Sequence, residues 1–554
     1  MTIGVLPIEG VRNSVPNVEE MTGGEAIIAS LAAHHVDTVF GIPGTHNLAL
    51  FAAMPKYGIR NITTRHEQGA GYAADGYARS SGRVGVVVTT TGPAALNAAT
   101  ALAQANSDSV PTLLIAPGMP TGHPSHGTGL LHEIRNQRGV FSNIVAESHR
   151  VESVAEIPIA IAQAFARMRS GRPRSEYLEV PLDLLDAVAA VNRVAPLPLS
   201  EPPRPKPTEI SSAAQALNGA GNVVIVAGGG AGGAENELAT IAEKLQAVVV
   251  TTTNGKGALR ENHPLSLGAG VQHRSVLAAV EQADAVLAVG TEFAPSDWWL
   301  GLPQFNGSVV RIDIDQASVL ANVIPTHPLV GGAAQTLEAL TDQLDQHPDA
   351  DPAELSQLRE SVELEHAESG LFWRAAFESV NAVLPVNTII AADNAMASYY
   401  GALGLLTLKR SRSFLFPTGA GTLGFGLPAG LGAKLANPDA AVVVIQGDGG
   451  LMFTVQELIT AAQCGIALPV IVFDNGGYGE IRNEMAERGD PTHSVSLVTP
   501  DFPALARSLG CLGVSVSETG DLGALVAQAL KADRPTLLHV LEQSKAGLEM
   551  LGRP

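Results

Sequence analysis

Residues 441–450, AVVVIQGDGG, and residues 468–479, LPVIVFDNGGYG, decide how this chain folds. Each opens with a continuous β-branched run and closes on glycines, the pattern of a strand buried on both faces that ends in a tight loop. Residues 450–473 separate Gly447-Asp448-Gly449 from Asp474-Asn475, which is room for one crossover helix between two parallel neighbours. Ligands of such sheets collect at the carboxyl ends of the strands, where Asp448 and Asn475 fall. One carboxylate, one amide oxygen and one backbone carbonyl would supply part of an oxygen octahedron for a hard cation, and phosphate oxygens would complete it. Two Gly-rich turns without a ligand are the alternative. Within the intervening segment, Thr454 and Glu457 ahead of Leu458, Ile459 and Ala462 predict a capping box.

The same alternation of apolar strand and helical pattern recurs upstream, in VGVVVTT (84–90) with TLLIA (112–116) and in NVVIVA (222–227) with AVVVTTT (247–253). Between these blocks lies VAPLPLSEPPRPKP (194–207), too rich in proline for a helix or a central strand. A charged stretch from about His347 to Glu365 reads as a helical connection to the last third. The expected fold class is α/β, with three doubly wound parallel-sheet domains over 18–192, 208–345 and 366–554. A chain of 554 residues exceeds what one hydrophobic core supports.

Composition narrows the function. The formal net charge of -20 opposes nucleic acid and anionic lipid as partners. No stretch approaches 18 uninterrupted apolar residues, so no membrane span is expected. Met1 to Pro16 lacks a basic region followed by an apolar run, and the expected location is cytoplasmic. Cys464 and Cys511 stand far apart without metal-ligand spacing, which points to neither a disulfide nor a zinc site.

The Gly-Asp-Gly triplet with an Asn-bearing loop at this distance, and GAGTLGFGLPAGLGAKLA (419–436) just upstream, resemble thiamine-diphosphate enzymes of the acetolactate synthase and 2-oxo acid decarboxylase branch. The resemblance covers nearly the whole chain, in the order pyrimidine-binding, central and diphosphate-binding domain. It implies that Asp448, Asn475 and the Gly477 carbonyl hold Mg²⁺, that Leu423 bends the cofactor, and that Gly421, Gly449, Gly450 and Tyr478 line it. The family's Asn-Asn pair is here Asp474-Asn475, a departure at the first position only. By the same resemblance each cofactor lies between two subunits, so a homo-oligomer, at least a dimer and expected to be a tetramer, is implied.

In the first block, TTRHEQGAGYAADGYAR (63–79) sets Glu67 after a short strand and before a small-residue helix. A surface ion pair is the plain alternative for an isolated glutamate. In the resembling family, a glutamate in this setting bonds the aminopyrimidine ring and takes part in its proton relay. LLHEIRNQ (130–137) falls where related decarboxylases carry two histidines and synthases Phe-Gln, which directs His132, Glu133 and Gln137 toward the reacting centre; a surface loop histidine is the alternative. Thr45, in GIPGTHN (41–47), matches a hydroxyl residue near the substrate carboxylate in a relative, with a turn role as the other reading.

The central block holds AGGGAGGA (227–234) and TTTNGKGALRENHPLSLG (251–268), the latter similar to the synthase branch, where relatives bind FAD or ADP. After AVLAVG (285–290) the synthases carry arginines that contact flavin; here the run is TEFAPSDWW (291–299), and FAD is not expected. That run contains Asp297 and two of the chain's three tryptophans, Trp298 and Trp299, while Glu480 follows the Asn475 loop. Acidic groups beside aromatic faces suit a guanidinium tail. The combination looks most similar to 5-guanidino-2-oxopentanoate decarboxylases; the alternative is that the tryptophans pack an interface and Glu480 pairs with Arg482. The expected activity is non-oxidative decarboxylation of that 2-oxo acid, with an acetolactate synthase-like carboligase or a catalytically inactive homologue as the competing readings.

Overall fold

The computed structural model describes residues 18–124 and 127–542; the readings of Met1 to Pro16 and of the last residues of the third block lie outside them. The chain forms three six-stranded, all-parallel sheets flanked by helices, the architecture expected. A short antiparallel pair, β1 (Val18–Thr22) with β8 (Val188–Asn192), ties the start of the first domain to its end.

The first sheet contains β2 (Thr38–Gly41), β3 (Arg60–Ile62), β4 (Gly85–Val88), β5 (Thr112–Gly118), β6 (Glu147–Arg150) and β7 (Glu176–Pro181), in the order β3-β2-β4-β5-β7-β6. The central sheet contains β9 (Val223–Ala227), β10 (Val248–Thr251), β11 (Ser266–Ala269), β12 (Ala285–Val289), β13 (Ser308–Asp313) and β14 (His327–Val330), ordered β11-β10-β9-β12-β13-β14. The third contains β15 (Ile389–Ala392), β16 (Phe414–Leu415), β17 (Val442–Gly447), β18 (Pro469–Asp474), β19 (Leu512–Ser515) and β20 (Thr536–Leu541), ordered β16-β15-β17-β18-β20-β19. The outer two domains therefore share one topology, and the central one has another. Strand order reverses between β2 and β4 in the first sheet and between β15 and β17 in the third, and a crevice opens at such a reversal.

The apolar runs become strands because helices cover both sheet faces; Val442, Val443, Val444 and Ile445 are fully buried. Helix Glu67–Ser81 of the first domain packs on helix Gly426–Ala436 of the third through small residues. A methyl group on Gly76 would strike the Ala429 carbonyl, and one on Gly432 the Ala73 carbonyl. Asp75 and Arg79 form a buried ion pair there, extended to Asp108, so the second half of the 63–79 motif joins domains.

The capping box expected at Thr454 and Glu457 does not form. The helix starts at Glu457 with Gln456 as its cap. The Thr454 hydroxyl donates to the Gly424 carbonyl, and Glu457 reaches into the first domain, where it accepts hydrogen bonds from the Arg65 and His66 amides. A longer-range partner has displaced the local one.

Candidate active site

On the third domain, Asp448 follows β17 and is almost fully buried. Its Oδ1 accepts from the Asn475 amide at 3.3 Å, and the Gly449 and Gly477 amides also bond the carboxylate. Its Oδ2 is buried with no hydrogen-bond partner. Burial and then the neighbouring Asp474 push the carboxyl up to about 6. A carboxylate held this way, with one oxygen free of protein donors, fits a cation. Among the described residues no three His, Cys, Asp or Glu cluster as a self-contained metal site, so a cation here would draw further oxygens from a ligand.

Asn475 follows β18, and its side chain bonds Glu542, just after β20. Gly477 has φ 138°, where a side chain would strike the Val495 carbonyl. The departure at Asp474 has a structural partner: one carboxylate oxygen lies 2.9 Å from His539 Nε2, and the other accepts from the Gly476 amide. Across the switch point, Asp393 follows β15 and accepts from the Gly424 and Phe425 amides at 2.8 and 3.2 Å. It thereby fixes the loop carrying Gly421 and Leu423; Gly421 (φ 63°) is exposed and Leu423 partly so. Gly449 packs beneath the Tyr478 ring, 2.9 Å from where its Cβ would be, and Gly450 lies against Asp393.

On the first domain, Glu67 opens its helix, partly buried, with one oxygen accepting from Asn97 Nδ2 at 2.9 Å. Three adjacent strands contribute further groups at their carboxyl ends. His46 follows β2, Thr91 follows β4 and His132 follows β5. The Thr91 hydroxyl lies 2.7 Å from His46 Nδ1 and 3.2 Å from His132 Nδ1. Thr45 is exposed. Glu133 turns away onto its own loop, accepting from the Thr128 and Gly129 amides at 2.8 and 3.0 Å. Burial pulls its carboxyl upward, but those bonds hold it below the ordinary range. Gln137 is buried and fully engaged, with Gly92 N, Pro117 O and the Tyr177 hydroxyl.

The tail candidates separate. Trp298 is buried in the central core, stacked on Phe293. Trp299 is 47% exposed, with its edge toward Tyr399 and Tyr400 at 5.9 and 5.7 Å. Both tyrosines lie in the π-helical turn Ala397–Ala402, a distortion common at functional sites. The Tyr400 hydroxyl donates to Glu480 Oε1 at 2.8 Å, and Tyr399 bonds the same carboxylate. Arg482 is directed to the Asn475 carbonyl instead. Asp297 accepts from the Thr253 amide at 3.4 Å, and burial pushes its carboxyl up to about 6.

His46, Thr91, Asp393, Tyr399, Tyr400 and Glu542 escape the sequence reading. Four of them could have been found from position alone, because His46, Thr91, Asp393 and Glu542 each come within a few residues of a strand end. The tyrosines carry no such mark.

Family models match the chain in three stretches: the thiamine pyrophosphate enzyme N-terminal TPP binding domain over 21–140, the central domain over 210–340, and the C-terminal TPP binding domain over 396–540. The chain belongs to the thiamine pyrophosphate enzymes. Among curated members of this family, a probable 2-ketoarginine decarboxylase, AruI, of Pseudomonas aeruginosa is 39% identical over 497 residues, 89% of each chain. An acetolactate synthase of Arthrospira platensis is 34% identical over 561 residues, 94% of each chain. The large subunit of acetolactate synthase isozyme 3 of Escherichia coli is 31% identical over 556 residues, 96% of each. The two cofactor-binding modules of this thiamine pyrophosphate enzyme coincide with the outer domains, which carry Glu67 and Asp448. No helix among the described residues is long and apolar enough to cross a membrane.

Proposed function

We propose that this enzyme decarboxylates 5-guanidino-2-oxopentanoate (2-ketoarginine), releasing CO₂ and the corresponding aldehyde. The observation that carries the reading is the Glu480 carboxylate, one residue beyond the Tyr478-Gly479 loop, bonded by Tyr399 and Tyr400, whose rings in turn meet Trp299. A planar cation gains from aromatic faces and from a carboxylate that can take paired hydrogen bonds. Asp297, two residues ahead of Trp299, is the second acidic group of this reading. The similarity to AruI supports the same substrate class.

In this reading Asp448, Asn475 and the Gly477 carbonyl hold Mg²⁺, and through it the diphosphate, while Gly421, Gly449, Gly450, Leu423 and Tyr478 shape the cradle. The orphaned Asp448 Oδ2 supports this assignment. Bound thiamine diphosphate supplies the electron sink for carbon–carbon cleavage. Glu67 orients the aminopyrimidine and holds a proton at its carboxylate. Thr45 approaches the substrate carboxylate. His132 faces the reacting carbon, and Glu133 fixes the loop that presents it. FAD has no part in this reading, and the purified protein is expected to be colourless.

We further infer a cytoplasmic homo-oligomer. Exposed Leu48 and Leu131 on the first domain, and Met452, Phe453, Ile481 and Val498 on the third, border the site residues and would be covered by a second copy. Sedimentation should give a dimer or tetramer. The similarity to acetolactate synthases over most of the chain supports a second reading, carboligation of pyruvate. Product analysis from a panel of 2-oxo acids with thiamine diphosphate and Mg²⁺ decides: the guanidino aldehyde supports the first reading, and acetolactate replaces it with the second.

A further inference from the structure

The pyrimidine-side histidines share one hydroxyl. A threonine hydroxyl has a single proton to give and lone pairs to receive. With both rings neutral, Thr91 has one proton for the two Nδ1 atoms, so at most one ring can present a bare Nδ1 to it, and spending that proton within the bridge gives the two imidazoles opposite tautomers. Protonating one ring is compatible with this bridge, because the charged ring donates and the other accepts. Protonating both sets two donors against Thr91, leaves its own proton without that acceptor, and brings two cations to ring centroids 5.5 Å apart. We propose that His46, Thr91 and His132 form a relay holding one exchangeable proton, with His46 a positioning residue that sets the ring state of His132 through Thr91.

The surrounding structure is organised to hold this bridge. His132 sits at φ 62°, in the left-handed region that a histidine seldom occupies. Its backbone passes so close to Gly92, itself at φ 63°, that a methyl on Gly92 would strike the His132 carbonyl. The Gly92 amide is in turn held by Gln137 at 2.7 Å. His46 is 9% exposed, and burial followed by the charge of His132 moves its imidazole below the ordinary histidine range. On the described part of the His132 loop the other ionisable groups are His123, Glu133 and Arg135, with His123 and Glu133 3.5 Å from each other. Within the bridge itself the two histidines are the ionisable groups.

The role in catalysis rests on the decarboxylase reading. When a 2-oxo acid loses CO₂, the bond to the carboxylate breaks, the electron pair remains on the former carbonyl carbon, and that carbon must gain one proton to become an aldehyde. His132 would donate it, and solvent would refill the pair through His46 and Thr91. A carboligase spends the same electron pair on a second carbonyl, and its proton goes to that carbonyl's oxygen instead of to the carbon.

The test uses the full-length protein with ¹⁵N-labelled histidine, with and without thiamine diphosphate and Mg²⁺. His46→Gln and His132→Gln assign the two rings among the 15 histidines. The expected result is opposite tautomers at neutral pH, with only one of the two rings charged as the pH falls to about 6. In Thr91→Val the tautomers should become independent, kcat should fall about tenfold with KM little changed, and the acid limb of the kcat profile should move; Thr91→Ser should restore all three. Like tautomers in the wild type, or an unaltered pH profile in Thr91→Val, overturns the proposal. Absence of aldehyde from every 2-oxo acid would overturn the decarboxylase reading while leaving the ring-state result standing.

Discussion

Glu457 of the diphosphate-binding domain accepts the backbone amide of Arg65 at 3.0 Å, and that of His66 at 3.1 Å, in the turn that delivers Glu67 to its helix. The carboxylate is fully buried and is also bonded by the Thr460 hydroxyl. One side chain thus positions the turn that carries Glu67 in the other module. Replacing Glu457 by Ala removes the acceptor of two part-buried amide bonds, a loss of about 1–3 kcal/mol. Chemical denaturation should show that loss, together with a fall in kcat; unchanged stability would show that the contact is dispensable.

Glu67→Gln should retain thiamine diphosphate and lose turnover by about a hundredfold or more, because an amide cannot carry the proton. Cofactor binding and steady-state kinetics on the same preparation separate the two effects. Near-normal turnover removes Glu67 from the mechanism.

Asp448→Ala should abolish retention of thiamine diphosphate in the presence of Mg²⁺, since the only carboxylate of the proposed metal set is gone. Isothermal titration calorimetry provides the comparison. Affinity equal to the wild type would assign the metal elsewhere.

Glu480→Gln should lower kcat/KM for 5-guanidino-2-oxopentanoate while sparing pyruvate, which has no tail to reach it. A charge-assisted contact is worth roughly 1.5–3 kcal/mol, or about ten- to a hundredfold. Asp297→Asn should act in the same direction. Equal losses on both substrates would indicate general damage to the site rather than tail recognition.

His273 Nε2 lies 2.9 Å from His366 Nδ1 in a buried contact between the central domain and the helix Pro352–Ser369. Burial lowers both histidines, with His366 held well below 6.5 by burial and then by His273 and Lys256. At these two histidines the unfolded chain therefore binds more protons than the folded one below pH 6.5. Their contribution to stability is fully present above that pH and is lost as the pH drops, by up to about 1.4 kcal/mol per pH unit for each proton. Thermal melts of wild type against His366→Gln, taken from pH 7.5 to 5, should give a shallower acid decline in the variant; identical slopes would place the pH sensitivity elsewhere.

The sequence by itself determined the three parallel-sheet domains and marked candidate residues in the two cofactor-binding modules. Strand identity is written in local runs such as residues 442–447, and the carboxyl-end rule converts each run into a site position without knowledge of the partners. That is why Asp448, Asn475 and Glu67 stood out in the sequence as candidates. Tertiary structure alone decided which polar groups meet. Thr454 and Glu457 satisfy a local capping pattern, yet Glu457 bonds a residue 392 positions away because burial between domains rewards an acceptor for two otherwise orphaned amides. Trp298 and Trp299 look equivalent in sequence, but alternation turns one into the core and leaves the other against Tyr399 and Tyr400. His46, Thr91 and His132 come from three separate loops, and only the order of β2, β4 and β5 in the sheet brings them together.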